Sequence, residues 1–230
     1  MPKISVIQFP GSNCDRDTKH VIEDVIGCRA DLNWYESADL SNYDGIVLPG
    51  GFSYGDYLRA GAIAAQTKIG NSLKRAAREG KPILGICNGF QILTELGLLK
   101  GALTTNSYPK FRCEHVYLKV NNTESIFTRK FDKNEVINLP IAHKEGRYYN
   151  QDPELSELKN SNQIAFKYSN KEGEVTKASN PNGSCENIAG LINEKGNVLG
   201  MMPHPERASE DILGSTDGKK ILKGMIESIN

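Results

Sequence analysis

The sequence predicts an α/β fold, with a mainly parallel sheet flanked by helices and a more β-rich second half. Two observations indicate this fold class: short apolar runs alternate with helical patterns in the first half, and a glycine-rich break follows three of those runs. Strands separated by helices form βαβ units, which place the strands parallel in one sheet. No linker-like segment interrupts the chain, so we expect one domain over residues 1–230.

In the first half, the expected strands are apolar runs and the expected helices carry apolar residues at helical spacing. Gly27 and Gly80 end the first two helices, because glycine readily takes the left-handed conformation that closes a helix. In chain order, we predict strand 4–9, helix 15–26, strands 30–35 and 44–49, helix 60–79, strand 82–86 and helix 88–98.

The second half contains shorter apolar runs with fewer helical patterns. The polar, turn-rich segment 150–163 is expected to be a surface excursion. Ser215 or Thr216 is expected to cap a last helix, 217–228, whose apolar residues share one face. The predicted strands are 116–120, 136–141, 164–168, 188–192 and 198–202.

Composition and charge exclude several classes of function. The 28 basic and 28 acidic residues give a net charge of +0, so the chain has no electrostatic footprint for nucleic acid or an anionic membrane. No apolar run approaches the roughly 18 residues of a membrane span, and residues 1–7 predict a first strand rather than a secretion signal. The five cysteines form no Cys-x-x-Cys pair, so we expect neither a metal site nor a dithiol motif. We expect a cytoplasmic location.

A strand that stops at a cysteine between two glycines is the feature most informative about function. Gly85-Ile86-Cys87-Asn88-Gly89 has the glycine spacing of a nucleophile elbow, with sulfur in place of the serine oxygen. Small flanking residues allow a sharp turn that lifts the central side chain above the sheet. At the start of the next helix, the dipole and unpaired N–H groups favour a thiolate. We therefore predict that Cys87 is a nucleophile.

A nucleophilic thiol needs a base, and His204 is the candidate among four histidines. His204 stands between two prolines directly after a predicted strand, and the second proline favours an extended backbone at His204. In an extended segment residues i and i+2 face the same side, so Glu206 can reach the imidazole and hold its tautomer. We predict a triad of Cys87, His204 and Glu206. His20 and His115 lie on polar segments and are expected to have no catalytic role.

The turn that follows the third predicted strand offers backbone donors for an oxyanion. The N–H groups of Gly50-Gly51 can converge with that of Asn88 on a developing negative charge, because glycine allows close approach of the backbone. The same segment is equally compatible with an ordinary tight turn.

With these residues in view, the chain resembles the class I glutamine amidotransferases, and within them the glutaminase subunits of phosphoribosylformylglycinamidine synthases. The resemblance spans nearly the whole chain. A loop at 141–147 also looks like the His-Gly-Glu-Gly-Arg loop of this group, with Lys144 where glycine is usual. A second departure is Cys113-Glu114-His115, where the group more often has arginine and tryptophan after the cysteine. The segments that carry the resemblance are 9–17, 49–57, 85–91 and 203–207.

The resemblance implies a flavodoxin-like fold and an attack by Cys87 on the side-chain amide of glutamine. A γ-glutamyl thioester would form, ammonia would leave with His204 relaying protons, and water would release glutamate. The resemblance also implies that Gly51 helps to form the oxyanion hole and that Gln91 lines the glutamine pocket. His143 is expected to contact glutamine, with a contact to a partner subunit or an ordinary loop position as alternatives.

The chain contains no ATP-grasping loop or nucleotide fingerprint, so we expect it to bind no cofactor. The resemblance implies that ATP and Mg²⁺ bind a separate, larger synthetase subunit and that a small third subunit bridges the two. The expected partners are thus L-glutamine and these two subunits, with no nucleic acid and no membrane. Three alternatives remain: an amidotransferase subunit for another acceptor, a cysteine hydrolase or peptidase on the same sheet, and a regulatory module with an inactive site.

Overall fold

The computed structural model describes residues 1–229 and is built around one sheet of nine strands, with a separate pair of strands beside it. The strands are β1 (Lys3–Gln8), β2 (Arg29–Trp34), β3 (Gly45–Leu48), β4 (Ile83–Ile86), β5 (Ala102–Thr104), β6 (Arg112–Val120), β7 (Val136–His143), β8 (Arg147–Tyr149), β9 (Ile164–Ser169), β10 (Ile188–Ile192) and β11 (Val198–Met201). The helices are α1 (Asp15–His20), α2 (Ala62–Ala65), α3 (Lys68–Arg78), α4 (Asn88–Glu95), α5 (Glu154–Asn160) and α6 (Asp217–Glu227).

The order of the strands divides the large sheet into a parallel and an antiparallel part. The order is β2-β1-β3-β4-β11-β10-β9-β6-β7. Pairing is parallel from β2 to β11, in the strand order of flavodoxin-like folds, and antiparallel from β11 to β7. The predicted α/β fold class is therefore confirmed, and the predicted β-rich portion continues the same sheet.

Burial along the strands follows their place in the sheet. Every residue of β3, β4 and β11 is buried, as expected for central strands covered by helices on both faces. In β7 buried and half-buried residues alternate, because only one face of this part of the sheet packs against the core. The antiparallel strands β9 and β10 are still buried almost throughout, so the alternation appears only further along the sheet, in β7.

The helix predicted over 60–79 is two helices, α2 and α3. Thr67 has an extended backbone, and its hydroxyl donates a hydrogen bond of 2.6 Å to the carbonyl of Ala64, which ends α2. The first of the two helices begins only after Gly61, whose φ of +79° is left-handed. The apolar spacing of the segment was recognised correctly, but the local competition from the threonine hydroxyl was not.

Other segments also differ from the prediction. The segment 150–163 contains α5, so its description as a turn-rich excursion was incomplete. The short strands β5 and β8, which pair only with each other, were not predicted. The helix predicted over 15–26 begins at Asp15, but its second part, Val21–Val25, is a π-helical turn.

The last helix begins close to the predicted position. Thr216 is the cap residue by backbone position, yet its side chain makes no capping hydrogen bond. The hydroxyl of Ser215 accepts a hydrogen bond of 3.2 Å from the N–H of Asp217 instead. Of the two candidate caps, Ser215 therefore supplies the side-chain oxygen.

Candidate active site

Three neighbouring strands end at one edge of the sheet and bring the candidate residues together. Leu48 of β3 pairs with Gly85 of β4, and Ile86 of β4 pairs with Met201 of β11. Cys87 and the segment that carries His204 thus follow adjacent parallel strands. In parallel sheets ligands bind beyond such carboxyl ends.

Cys87 occupies a strained turn between β4 and α4. Its φ of 50° and ψ of −103° lie outside the regions that non-glycine residues usually adopt. The turn is held by a hydrogen bond of 2.8 Å from the N–H of Cys87 to the carbonyl of Met201. The thiol lies 3.8 Å from the carbonyl oxygen of Ala142 and is 5% exposed. A strain of this kind is kept only where the surroundings determine it, and such sites are often functional.

The two glycines of the elbow allow α4 to lie close to the sheet. A Cβ on Gly89 would lie 2.1 Å from the backbone oxygen of Leu48. A Cβ on Gly85 would lie 2.7 Å from the backbone of Gly89. Larger residues would push the helix outward, and the sulfur of Cys87 with it.

His204 and Glu206 form a buried ion pair beside this turn. Nδ1 of His204 lies 2.6 Å from Oε1 of Glu206, and the two side chains are 2% and 0% exposed. His204 has the predicted extended backbone, with φ −99° and ψ 94°, whereas Glu206 lies in the 3₁₀ turn Pro205–Arg207. The backbone N–H of His204 is bound to the carbonyl of Pro140 in β7 at 2.8 Å. The carboxylate therefore reaches the imidazole as predicted, although the backbone is not extended throughout.

The surroundings favour the imidazolium form of His204. Burial by itself would lower the pKa of His204, but the Glu206 carboxylate and the neighbouring thiols of Cys87 and Cys14 raise that pKa well above its ordinary value. Nε2 of His204 is buried and has no hydrogen-bond partner among residues 1–229. Among the described residues, no other group therefore competes for this nitrogen.

The two predicted oxyanion donors lie at positions where their N–H groups are free. Gly51 has a φ of +143°, and a Cβ there would lie 2.5 Å from the backbone of Gly11 and Asn13. Asn88 is the first residue of α4, so its N–H has no partner within the helix. In the described chain, neither N–H makes a backbone hydrogen bond outside a helix or strand. The Gly50-Gly51 segment is thus a tight turn that also leaves a donor free.

The first segment of the resemblance supports this glycine turn. The N–H of Phe52 donates to the carbonyl of Gly11 at 2.8 Å, and the N–H of Cys14 donates to the carbonyl of Gly50 at 3.2 Å. Residues 9–17 and 49–57, far apart in the chain, therefore form one packed unit at the edge of the sheet.

A cavity of about 260 Å³ opens next to the thiol. Four predicted site residues line it: Gly51, Cys87, Gln91 and His143. Phe52, Asp56, Phe111, Ala142, Lys144 and Glu145 complete the wall. Its size fits a small polar molecule. A larger cavity, about 620 Å³, is lined by Lys81 and Asn197, which precede β4 and β11, and so lies at the opposite edge of the sheet.

The polar groups of the cavity wall are linked to one another. The amide of Gln91 donates to the carbonyl of Glu145 at 2.6 Å and accepts from Nδ2 of Asn88 at 2.9 Å. Burial and the nearby Glu145 carboxylate raise the pKa of Asp56 to about 6. Gln91 thus lines the cavity and also holds the 143–146 loop against α4.

Two residues of the site were not recognised from the sequence. Cys14 is buried, and its sulfur accepts a hydrogen bond of 3.1 Å from Nη2 of Arg207. Burial raises the pKa of the Cys14 thiol. The sulfur lies within 4.8 Å of ligand-type atoms of His204 and Glu206, a donor set that zinc also uses. His204 and Glu206 already bind each other, and Arg207 already donates a hydrogen bond to the sulfur of Cys14. We therefore assign Cys14 to the hydrogen-bond network of the site and not to a metal site.

Asn106 was missed because its partners are distant in sequence. It is 3% exposed and bonds to the loop at 143–146, including the backbone of Gly146. No short-range pattern around position 106 signals this role. Outside the site, His20 lies 2.8 Å from Asp24 and 2.9 Å from Glu210, so it takes part in surface ion pairs.

Comparisons with known proteins indicate the family of the chain. A family model described as the CobB/CobQ-like glutamine amidotransferase domain matches residues 1–224. "Phosphoribosylformylglycinamidine synthase subunit PurQ" of Methanosarcina barkeri is 57% identical over 227 residues, which cover 99% of this chain and 98% of the relative. The PurQ subunit of Methanosarcina acetivorans is 58% identical with the same coverage.

Solved structures give the same relationship. A chain in "Structure of PurLQS from Thermotoga maritima" is 46% identical, with a TM-score of 0.88, and the match covers 100% of this chain and 99% of that one. The glutaminase domain of Trypanosoma brucei CTPS with bound acivicin is 12% identical, with a TM-score of 0.62 and coverage of 100% and 94%, and it shows likeness of fold alone.

Proposed function

The chain belongs to the CobB/CobQ-like glutamine amidotransferase family, and we propose that its Cys87 site hydrolyses L-glutamine and supplies ammonia to a separate synthetase subunit. The chain is the glutaminase subunit of phosphoribosylformylglycinamidine synthase, which converts formylglycinamide ribonucleotide to its amidine in purine synthesis. One observation carries this conclusion: a full-length likeness to PurQ subunits coincides with a cavity that ends at the strained Cys87 turn.

In the proposed first step, the Cys87 thiolate attacks the side-chain carbonyl carbon of glutamine. The N–H groups of Gly51 and Asn88 stabilise the oxyanion that forms. His204 gives its proton to the departing nitrogen, so the carbon–nitrogen bond breaks and ammonia leaves. The product on the enzyme is a γ-glutamyl thioester.

In the second step, water hydrolyses the thioester. His204, now neutral, takes a proton from the water as the oxygen attacks the same carbonyl carbon. Collapse of the intermediate releases glutamate and restores the Cys87 thiolate beside the His204 imidazolium. Glu206 does not exchange protons in this scheme; its carboxylate orients the imidazole and stabilises the charged form.

The cavity wall supports selection of an amino acid with a side-chain amide. Asp56 and Glu145 place acidic groups in the wall, which suits the α-ammonium of glutamine. Gln91 and His143 line the same cavity and are proposed to contact the substrate.

The proposed partners follow from the family. One solved relative of this chain is part of PurLQS, and we propose a corresponding larger synthetase subunit and a small bridging subunit here. ATP and Mg²⁺ are then used by the larger subunit. We also propose that residues 1–230 form one amidotransferase domain, a proposal supported by the single sheet that contains strands from Lys3 to Met201.

We propose a cytoplasmic location, because the five cysteines are free thiols in this structure, as is usual where the compartment keeps thiols reduced. Among residues 1–229, no helix has the length and apolarity needed to span a bilayer. An acceptor other than the ribonucleotide is disfavoured by the identity to PurQ subunits over nearly the whole chain.

The proposal is tested by replacing the nucleophile in the assembled synthase. Cys87→Ala is expected to abolish glutamine-dependent amination of the ribonucleotide while ammonia-dependent amination continues, because only the release of ammonia requires the thiolate. Cys113→Ala, which removes an exposed thiol outside the cavity, is the matched control and is expected to keep both activities. Loss of both activities in Cys87→Ala, or glutamine use without this thiol, would overturn the proposal.

A further inference from the structure

A buried asparagine outside the predicted site organises the cavity loop through five hydrogen bonds. The N–H of Asn106 donates to the carbonyl of Lys144 at 2.9 Å. Its Nδ2 donates to the carbonyls of His143 and Lys110 at 3.1 Å and 3.2 Å. Its Oδ1 receives the N–H of Gly146 at 3.1 Å and lies 3.2 Å from Nδ1 of His143. Asn106 therefore satisfies every polar atom of its side chain within this loop and the adjoining segment.

These contacts determine which nitrogen of His143 carries the proton. Both protons of Nδ2 point at carbonyl oxygens and Oδ1 accepts from a backbone N–H, so the Asn106 amide cannot be reversed without losing these bonds. Oδ1 can only accept, and Nδ1 of His143 must therefore be the donor. Burial, with a smaller effect of the nearby His204, lowers the pKa of His143 to about 3, so the ring has only one proton at neutral pH. That proton lies on Nδ1, and Nε2 carries a lone pair.

The lone pair of Nε2 has no partner in the described chain. His143 is 3% exposed, and Nε2 is buried without a hydrogen bond among residues 1–229. The same residue lines the cavity beside Cys87. A buried acceptor without a partner costs free energy, and a ligand N–H group removes that cost.

We propose that Asn106 is a positioning residue that holds His143 as the Nδ1–H tautomer, so that Nε2 accepts a hydrogen bond from an N–H group of bound glutamine. This inference rests on the proposed function and names the group that recognises the substrate. Glutamine offers two sources of N–H, the α-ammonium and the side-chain amide. Glutamate lacks the amide N–H and 4-carbamoylbutanoate lacks the α-ammonium.

The direct test observes the imidazole of His143 in the assembled synthase. In Cys87→Ala, which cannot turn glutamine over, ¹⁵N NMR of His143 is expected to show an unprotonated Nε2 that shifts when glutamine binds. If bound glutamate does not shift the Nε2 resonance, the side-chain amide of glutamine is the donor. If bound 4-carbamoylbutanoate does not shift that resonance, the α-ammonium is the donor. An Nε2 that is protonated before glutamine is added, or an Nε2 resonance that does not shift with saturating glutamine, would overturn the inference.

Substitution of the asparagine gives a second test, in the assembled synthase. Asn106→Asp keeps the shape and the Oδ1 acceptor but loses both Nδ2 donors, and its charge favours a doubly protonated His143. We expect the KM for glutamine to rise about tenfold, with a smaller change in kcat, since a buried acceptor becomes a donor. Ammonia-dependent amination should be unchanged.

The chain offers a matched control for this substitution. Oδ1 of Asn138 lies 2.8 Å from Nδ1 of His115 on the exposed part of the antiparallel sheet, so Asn138→Asp alters an equivalent pair outside the cavity. Its KM for glutamine is expected to equal that of the natural chain. An unchanged KM and an unchanged His143 tautomer in Asn106→Asp would contradict the positioning role. Because glutamate release by the natural synthase is measured separately, failure of this inference is distinguishable from failure of the glutaminase function.

Discussion

At the scale of single residues, the site depends on a charged pair kept out of water. A buried imidazolium is unfavourable unless an anion compensates it, and Oε1 of Glu206 lies 2.6 Å from Nδ1 of His204. Arg207 adds a contact of 3.9 Å to the same carboxylate oxygen. The result is a proton donor whose orientation and charge are determined before substrate binds, which is how preorganised sites lower a barrier.

Glu206→Gln tests the contribution of this carboxylate. The variant keeps the size of the side chain and removes the anion, so we expect glutaminase turnover to fall about a hundredfold or more. The pKa of His204 should fall as well, since the Glu206 anion raises it, and the imidazolium would then be lost at a lower pH than in the natural chain. Glutamate release and an NMR titration of His204 measure the two effects.

The control for this variant uses a second carboxylate that binds a histidine. Oε2 of Glu210 lies 2.9 Å from Nε2 of His20 on the surface, and Glu210→Gln should leave turnover unchanged. Natural turnover in Glu206→Gln, with an unchanged His204 titration, would remove Glu206 from the proposed triad.

The sequence indicated some of these residues and not others for a physical reason. The positions of Cys87, His204 and Glu206 follow from local rules about glycine, proline and residue spacing. Asn106 and Cys14 act through partners 37 and 193 positions away, respectively. No local rule contains such contacts, so only the folded chain reveals them.

At the scale of elements, the positions of the catalytic groups depend on how closely the neighbouring turns and helices pack against one another. Gly50 lies next to His204 at the end of β3, where a Cβ would be 2.7 Å from Cε1 of His204 and 3.1 Å from Sγ of Cys14. The glycine therefore provides space for the imidazole as well as part of the tight turn.

Gly50→Ala is expected to displace the imidazole. A shift of about 1 Å in a catalytic group can lower a rate about a hundredfold, and we expect a loss of that order in glutaminase turnover. Gly80→Ala is the control: nothing lies within 4 Å of its Cβ position, but its φ of +86° is unfavourable for alanine. It should lower the free energy of unfolding by about 1–2 kcal/mol and leave turnover unchanged.

Steady-state assays and urea denaturation of both glycine variants separate the two effects. Normal turnover in a folded Gly50→Ala chain would show that the imidazole tolerates the added methyl group. Equal loss of activity in both variants would mean that stability, and not the space beside His204, explains the result.

Strands were predicted well where burial on both faces of the sheet produces a continuous run of apolar residues. The runs that became β3, β4 and β11 are buried throughout, and their apolar sequences located them. By contrast, β5 and β8 have three residues each and are held by pairing with each other across more than forty positions. Such strands depend on a tertiary contact, so composition and periodicity carry little information about them.

At the scale of the whole molecule, the sheet places the site at a junction between its two parts. β11 is the last parallel strand, and β7, at the far end of the antiparallel part, returns to the site through its C-terminal residue His143. The alternation of strands and helices in the first half predicted a mainly parallel sheet. The sheet continues through β10, β9, β6 and β7. This order depends on long connections, which the spacing of apolar residues does not predict.

The outer rim of the cavity suggests how a partner subunit affects the reaction. Phe52 and Phe111 both line the cavity, their ring centroids lie 6.3 Å apart, and the two residues are 44% and 49% exposed. Tyr57 and Leu58, which follow Phe52 in the chain, are 90% and 67% exposed. Apolar groups clustered in this way are typical of surfaces that a partner covers.

We therefore expect the isolated chain to release glutamate slowly and the larger synthetase subunit to raise that rate on the order of tenfold or more, a typical size for coupling between sites. The physical reason is that Asp56, with a left-handed φ of 51°, belongs to the cavity wall and to the exposed turn that includes Tyr57, so contact with a partner at the turn orders the wall. Glutamate release is measured with the chain alone, with the larger subunit added, and with an equal amount of an unrelated protein. A chain that is fully active alone would show that its cavity is already in the catalytic arrangement and that the partner receives ammonia without controlling its release.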